Sequence, residues 1–356
     1  MHEAMLYDKL ADGEVRCRVC PNLCHIKPGK AGTCRARVNR DGVLVALVYG
    51  RVCSVAADPI EKKPLFHFFP GTTVLSLGTL GCNFACRGCQ NWQISQADAV
   101  TGVNDLRELP VGNLPVLAEH NGCLGVAWTY NEPTIWLEYV LDGAQVAHEH
   151  GLYTVMVTNG YITAEALDVI APRIDAYRVD VKGFSERLYR DLCRVKDFHA
   201  VLAAAERAKS VHGCHVEIVT NVIPTKNDDD ETLRAIATWV VEKLGAKTPW
   251  HVTRFIPYLE LSHLPATPIK TLERAVDIGR QAGLEFVYVG NVPGHSGENT
   301  VCPSCHRLVV RRTGYEVEDV ALRDGLCDMC GEDLNMRRRM KQPGVNGDNA
   351  ARGLGR

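Results

Sequence analysis

Eleven of the fifteen cysteines fall into three groups with short, regular spacings, and thiolates arranged in this way bind metal. The groups are Cys17, Cys20, Cys24 and Cys34; Cys82, Cys86 and Cys89; and Cys302, Cys305, Cys327 and Cys330. The middle group lies in GCNFACRGCQNW with C-x3-C-x2-C spacing. Three thiolates can wrap three irons of a 4Fe-4S cubane while the fourth iron lacks a protein ligand, and an open iron is a place for chemistry. Two rival accounts serve the spacing poorly. Structural zinc takes four ligands, and a ferredoxin run supplies a fourth cysteine nearby, whereas Gln90, Asn91 and Trp92 follow Cys89.

The last group, C-x2-C-x21-C-x2-C, has zinc-ribbon spacing: two knuckles with a hairpin, RLVVRRTGYEVE, between them. Four thiolates close a tetrahedron, so this site reads as structural zinc, with a single rubredoxin-like iron as the rival. The first group, C-x2-C-x3-C-x9-C, suits either zinc or an auxiliary 4Fe-4S cluster, with His25 as an alternative ligand. Zinc is the expectation there, because a small segment with little core gains folding energy from metal. Cys53, Cys123, Cys193 and Cys214 stand alone and read as buried small hydrophobes.

These groups need elements to position them. Hydrophobic residues make up 46% of the 356 and charged residues 23%, the balance of a globular chain. A formal net charge of -2 supplies no field that would draw in nucleic acid or an anionic membrane. Arg307, Arg311, Arg312 and Arg337 to Arg339 lack interleaved aromatics and read as a solvated face. No apolar run reaches the length of a membrane helix, and the start MHEAMLYDKLADGE lacks the order of a signal peptide, so a cytoplasmic location is expected. In that reducing compartment the cysteines are not a disulfide framework.

Between the second and third groups, β-branched runs (TVLSLGTL, CLGVAWTY, YTVMVTN, AYRVDVKG, HVEIVTNVIP, WHVTRFIP, EFVYVGN) alternate with segments of helical periodicity at 133–149, 229–244 and 268–282. Strict alternation implies a parallel sheet with right-handed crossovers. Six or seven such units fit an α/β fold of the partial or near-complete (β/α) barrel kind. Four regions follow: a Cys-rich metal-binding segment at 1–72, a core at 73–296, a ribbon-like module at 297–335 and a disordered basic tail at 336–356. Cys82, Cys86 and Cys89 then sit in the loop after the first core strand, on the face where such folds place their chemistry.

At this point the residues resemble the radical S-adenosylmethionine (SAM) superfamily, whose signature is C-x3-C-x2-C after the first strand of a β/α core. The resemblance spans about residues 73–295. It implies that the open iron binds SAM, that reduction cleaves SAM to a 5'-deoxyadenosyl radical, and that this radical abstracts hydrogen from a substrate. TYNEPT resembles the family's GGEP segment and so implies that Asn131, Glu132 and Pro133 lie where the SAM amino group is held. Thr158 and Asn159 of TNG, and Asp180 and Lys182 of DVK, resemble segments of the pyruvate formate-lyase activase type that lie near SAM. Gly88 stands where many members carry an aromatic that stacks on adenine, with Phe84 and Trp92 as the nearest substitutes. Tyr130 and Asn131 replace the first glycines of GGEP.

DPIEKKPLFHFFPG, GCNFACRGCQNWQIS, TYNEPTIWLEY and TNVIPTKNDDDETL are similar to sequences of the AmmeMemoRadiSam group. That likeness implies company with Memo-type and AMMECR1-type proteins, an electron donor such as flavodoxin or ferredoxin, and a substrate that includes, as one candidate, a glycine on a partner protein. The alternatives are radical modification of RNA or a small metabolite, with the C-terminal module as a docking element, and a noncatalytic metal-bound scaffold.

Overall fold

The structure, a computed structural model, describes residues 2–338. Its centre is one eight-stranded sheet: β1 (Ser54–Pro59), β2 (Thr73–Gly78), β3 (Gly125–Trp128), β4 (Tyr153–Thr158), β5 (Ala176–Asp180), β6 (His215–Val222), β7 (Trp250–Arg254) and β8 (Val287–Gly290). The strands lie in chain order from β1 to β8. β2 through β8 are parallel, and β1 pairs antiparallel with β2. The expected β/α alternation is therefore present. β1 and β8 do not pair with each other, so hydrogen bonds leave the sheet open.

Parallel strands covered by helices on their crossovers are buried on both faces, which is why they read as unbroken apolar runs rather than alternating ones. All six residues of β4, YTVMVT, are buried. The crossovers carry α1 (Leu114–His120), α2 (Leu137–Glu149), α3 (Ala164–Ile170), α4 (Glu186–Leu192), α5 (His199–Ser210), α6 (Asp230–Trp239) and α7 (Ile269–Gln281). Each of the three segments read as helical holds one of these. Local chemistry fixes several starts: Thr163, Ser185 and Asp229 each accept a backbone N–H from the first turn of α3, α4 and α6.

Ahead of the sheet lie two small antiparallel sheets, one joining Tyr7–Lys9, Val15–Cys17 and His25–Ile26, the other joining His2–Glu3, Val43–Ala46 and Arg37–Arg40. After it, the expected hairpin forms as β9 (Leu308–Thr313) and β10 (Glu316–Val320). Its apolar face joins Phe66, Phe286, Tyr288 and Met336 in a separate small core, which seats the module on β8 and on the 60–69 loop. Arg312 is not on a solvated face: it is 2% exposed, donates to the Phe66 carbonyl at 2.8 Å and lies over the Phe66 ring. Met336 is buried and Arg337 exchanges backbone hydrogen bonds with His67 and Phe69, so the ordered chain runs past 335. The rest of the expected tail, 339–356, lies outside the described residues. Of the four solitary cysteines, Cys123, Cys193 and Cys214 are buried as expected, but Cys53 is exposed. Among the described residues no helix is long and apolar enough to cross a membrane.

Candidate active site

The loops that leave the C-terminal ends of the parallel strands surround a cavity of about 550 Å3. Cys82, Cys86 and Cys89 line it, and no fourth thiol does among its lining residues. Asn131, Glu132, Thr158, Asn159, Asp180 and Lys182 line it too, so the motifs from β2 to β5 converge as the sequence implied. Pro133 does not; it is buried at the start of the 3-10 turn Pro133–Trp136, where a proline costs no hydrogen bond.

The cysteine loop is held from three sides. Backbone N–H groups of Ala85 and Arg87 donate to the Cys193 and Leu192 carbonyls at the end of α4. Asn131 grips the turn before Cys82: its Oδ1 accepts from Thr79 N at 3.1 Å and its Nδ2 donates to the Gly81 carbonyl at 2.9 Å. Asn159 Nδ2 donates to Asn83 Oδ1 at 2.8 Å and lies 3.8 Å from the Cys82 sulfur. The Phe84 N–H also points at that sulfur, at 3.4 Å.

The sulfurs differ in their surroundings. A hydrogen bond from the Cys193 thiol, helped by the Lys182 charge, draws the Cys86 thiol below its usual range, whereas burial pushes Cys82 up. Lys182 pairs with Asp180 at 3.5 Å, and Arg178 reaches the same carboxylate at 2.5 Å. Burial alone would raise Asp180; the two cations hold it below the usual carboxylate range.

Glu132 is 1% exposed. Its Oε1 accepts from the Thr134 N–H and the Thr158 hydroxyl, and its Oε2 from the Asn159 N–H. A carboxylate offers about four acceptor positions, so protein donors take three and about one remains for a ligand. Burial pushes its pKa up against those donors. The carboxylate thereby locks the TNG turn after β4 to the NEP turn after β3.

The two departures from the glycine pattern have local causes. Tyr130 keeps the left-handed backbone of a glycine position, at φ 72°. Room for its ring exists because residue 78 is glycine: a Cβ there would lie 3.0 Å from Tyr130 Cδ2. At Gly88 a Cβ would come within 2.8 Å of Leu261 and 3.4 Å of the Phe255 ring. Phe255 is thus the aromatic that stands against Gly88, and it lines the cavity beyond the end of β7. Phe84 also lines it; Trp92, 41% exposed, does not.

Several lining residues escaped the sequence reading. Lys63 of the DPIEKKP loop is buried, donates to Asp58 Oδ2 at 2.6 Å and stands over the Tyr130 ring. Burial draws its pKa down to about 8 despite that partner. Below it Glu217 on β6 accepts from the Phe66 and His67 N–H groups and contacts the imidazoles of His215 and His251, pinning the loop to the sheet. Gly314 and Tyr315, at the β9–β10 turn, complete the far wall. The loop's mixture of lysines and aromatics was the available signal, but it did not show which way the loop faces.

The other two cysteine groups differ in width. Cys302, Cys305, Cys327 and Cys330 have all sulfurs within 4.8 Å of one another, with pairs at 3.6 and 3.7 Å. Zinc–sulfur bonds of 2.3 Å in a tetrahedron put sulfurs about 3.8 Å apart, so this quartet fits a single ion. Among the described residues no other group of three or more His, Cys, Asp or Glu ligand atoms is that tight.

The fold and site are those of an α/β sheet with a three-cysteine loop after its first parallel strand, facing a cavity walled by successive strand ends. Residues 77–236 match the radical SAM superfamily, so the chain carries a radical SAM domain, and that family implies an enzyme with an iron–sulfur cluster, SAM and a reductant. It is 43% identical over 340 residues to the uncharacterized protein MJ0808 of Methanocaldococcus jannaschii, covering 94% of this chain and 99% of that one. Among solved structures it is similar to a radical SAM methyltransferase from Sphaerobacter thermophilus (18% identity, 65% and 71% of the two chains, TM-score 0.48). It is also similar to a domain of a pyruvate-formate lyase-activating enzyme from Bacteroides vulgatus (16% identity, 47% and 99%, TM-score 0.41).

Proposed function

We propose that Cys82, Cys86 and Cys89 hold a 4Fe-4S cluster and that this chain, of the AmmeMemoRadiSam type, uses it to cleave SAM reductively and abstract hydrogen from a substrate in the cavity. The observation that carries the reading is that three thiols and no fourth open into a cavity large enough for a cofactor and a substrate portion. Such a cluster supplies an open iron for SAM and the electron that breaks its carbon–sulfur bond. The chain's own residues position and orient. Asn131 and Asn159 fix the cysteine loop, Glu132 offers its remaining acceptor position to an ammonium, and Phe255 takes the adenine face. Asp180 and Lys182 form the polar wall beyond β5.

The remaining calls belong to this reading. The open sheet curls as a partial barrel, supported by one cavity lined from β3 through β8. Regions 1–72, 73–296 and 297–335 each carry one cysteine group, the last closed by zinc, and the first region joins the central sheet through β1. The chain works in a reducing cytoplasm with a flavodoxin- or ferredoxin-type donor, and with Memo-type and AMMECR1-type proteins. A protein glycine is one candidate hydrogen donor. A second reading, RNA or a small metabolite docked by the C-terminal module, gains from Tyr315 and Glu298, which bring that module into the cavity wall. RNA retention that weakens with salt and disappears on deleting 297–356 would favour it.

The test is anaerobic reconstitution with iron and sulfide, then dithionite and SAM. Cluster absorbance and release of 5'-deoxyadenosine are expected, and such turnover dismisses a purely scaffolding role. Fully loaded protein that cleaves no SAM would sink the proposal.

A further inference from the structure

The N-terminal quartet matches the C-terminal quartet in its ligand count, but its ligand atoms do not all close within 4.8 Å of one another. Cys17, Cys20, Cys24 and Cys34 all line one cavity of about 10 Å3, room for roughly one water. A point that admits a water-sized sphere lies about 3 Å or more from every sulfur, against the 2.3 Å of a zinc–sulfur bond. The C-terminal quartet shows how these thiols stand when one ion is to be held, and the N-terminal sulfurs do not close to that width. In a cubane each thiolate binds a different iron, so the ligand sulfurs surround a larger body and stand farther apart.

Two further features suit an iron–sulfur cluster. Arg37, 2% exposed, lines the cavity; its two terminal nitrogens are engaged by Glu138, while its Nε is buried without a hydrogen-bond partner. That leaves a cationic N–H donor beside an anionic thiolate site. The Thr33 N–H lies 3.4 Å from the Cys24 sulfur, a contact of the kind that tunes such clusters.

We infer that Cys17, Cys20, Cys24 and Cys34 hold an auxiliary 4Fe-4S cluster, not zinc. It stands directly against the radical-forming loop. Gly81, the residue before Cys82, is packed so closely on the Cys34 carbonyl that a Cβ would lie 2.5 Å from that oxygen. Asn22 Nδ2 donates to the Asn83 carbonyl at 3.0 Å, and Arg35 to the Ser95 carbonyl at 2.9 Å. The cluster's loop and the loop of Cys82, Cys86 and Cys89 thus share one wall.

The inference does not rest on the reading at Cys82, and one experiment separates them. Anaerobically purified full-length protein is assayed for iron, sulfide and zinc, beside a C82A/C86A/C89A variant. The expected counts are about eight irons and one zinc in the parent chain and about four irons and one zinc in the variant. Two zincs in either protein, with no iron left in the variant, would overturn the auxiliary cluster. About four irons in both proteins would uphold it and count against a cluster at Cys82. Should the variant not fold, the parent chain decides alone: four irons with two zincs refutes the inference, and eight with one supports it.

Discussion

The C-terminal quartet and the central triad use the same side chain to opposite ends. At Cys302, Cys305, Cys327 and Cys330 the sulfurs approach one another to 3.6 and 3.7 Å and complete a tetrahedron, leaving no coordination position over. At Cys82, Cys86 and Cys89 the place of a fourth thiol is taken by a cavity with a carboxylate, an ion pair and an aromatic in its wall. A closed quartet suits a metal that holds a small module together, as segments with little core require. An open site needs the large sheet to hold its loop, because the metal alone does not.

The largest effects test that division. Replacing Cys82, Cys86 or Cys89 by Ala should reduce 5'-deoxyadenosine formation to background, while Cys327→Ser should leave SAM cleavage in place. Equal loss from both would erase the distinction between open and closed. Cys327→Ser should instead release one metal per chain and make residues 297–338 sensitive to protease, with the 73–296 core resistant. Because Tyr315 lines the cavity, turnover of the native substrate should fall even where SAM is still cleaved. A module that stays resistant after metal loss would show that its contact with Phe66, Phe286 and Tyr288 suffices.

Inside the open site, Glu132→Gln keeps the shape but removes the charge that three protein donors share and that the proposed function offers to an ammonium. Hydrogen bonds to charged groups contribute about 1.5–3 kcal/mol each, so SAM affinity should fall by roughly tenfold or more. Equilibrium SAM binding to the cluster-loaded variant checks this, and an unchanged Kd would remove Glu132 from the SAM contacts. Phe255→Ala should weaken SAM by a smaller factor, about three- to tenfold, in line with one lost aromatic stack. Trp92→Ala, outside the cavity, should leave it unchanged.

Much of this contrast was legible in spacing. Local rules sufficed for Cys302 to Cys330, where two knuckles and a hairpin lie within one short stretch, and for the strand runs, since burial on both faces leaves unbroken apolar segments. TYNEPT, TNG and DVK were legible through order along the chain, because each follows a parallel strand and strand ends meet on one face. Lys63, Phe255 and Tyr315 were not. Lys63 lines the cavity on a loop whose residues 66 and 67 are pinned by Glu217 on β6, and Phe255 and Leu261 close in on Gly88 from beyond β7. Such long-range packing leaves no periodicity behind. Arg312 misled for a similar reason: its partners, Glu61 and the Phe66 carbonyl, are some 250 positions away.

The smallest expected effect concerns Lys63, which gives the open site a titrating wall near neutrality. Burial draws its ammonium down to about 8, while Asp58 opposes the shift and Lys62 and Arg178 add to it. In the unfolded chain a lysine keeps its proton to about pH 10.4. Between these values the unfolded state binds more protons than the folded one, so this group makes stability rise with pH from about 8 to 10. Lys63→Gln should flatten that rise, a change of a few degrees at most in the Tm of metal-loaded protein. The same substitution should not alter the metal content of the C-terminal quartet. An identical slope in parent and variant would mean that Asp58 keeps Lys63 charged throughout, and that the wall facing the substrate stays cationic across the whole range.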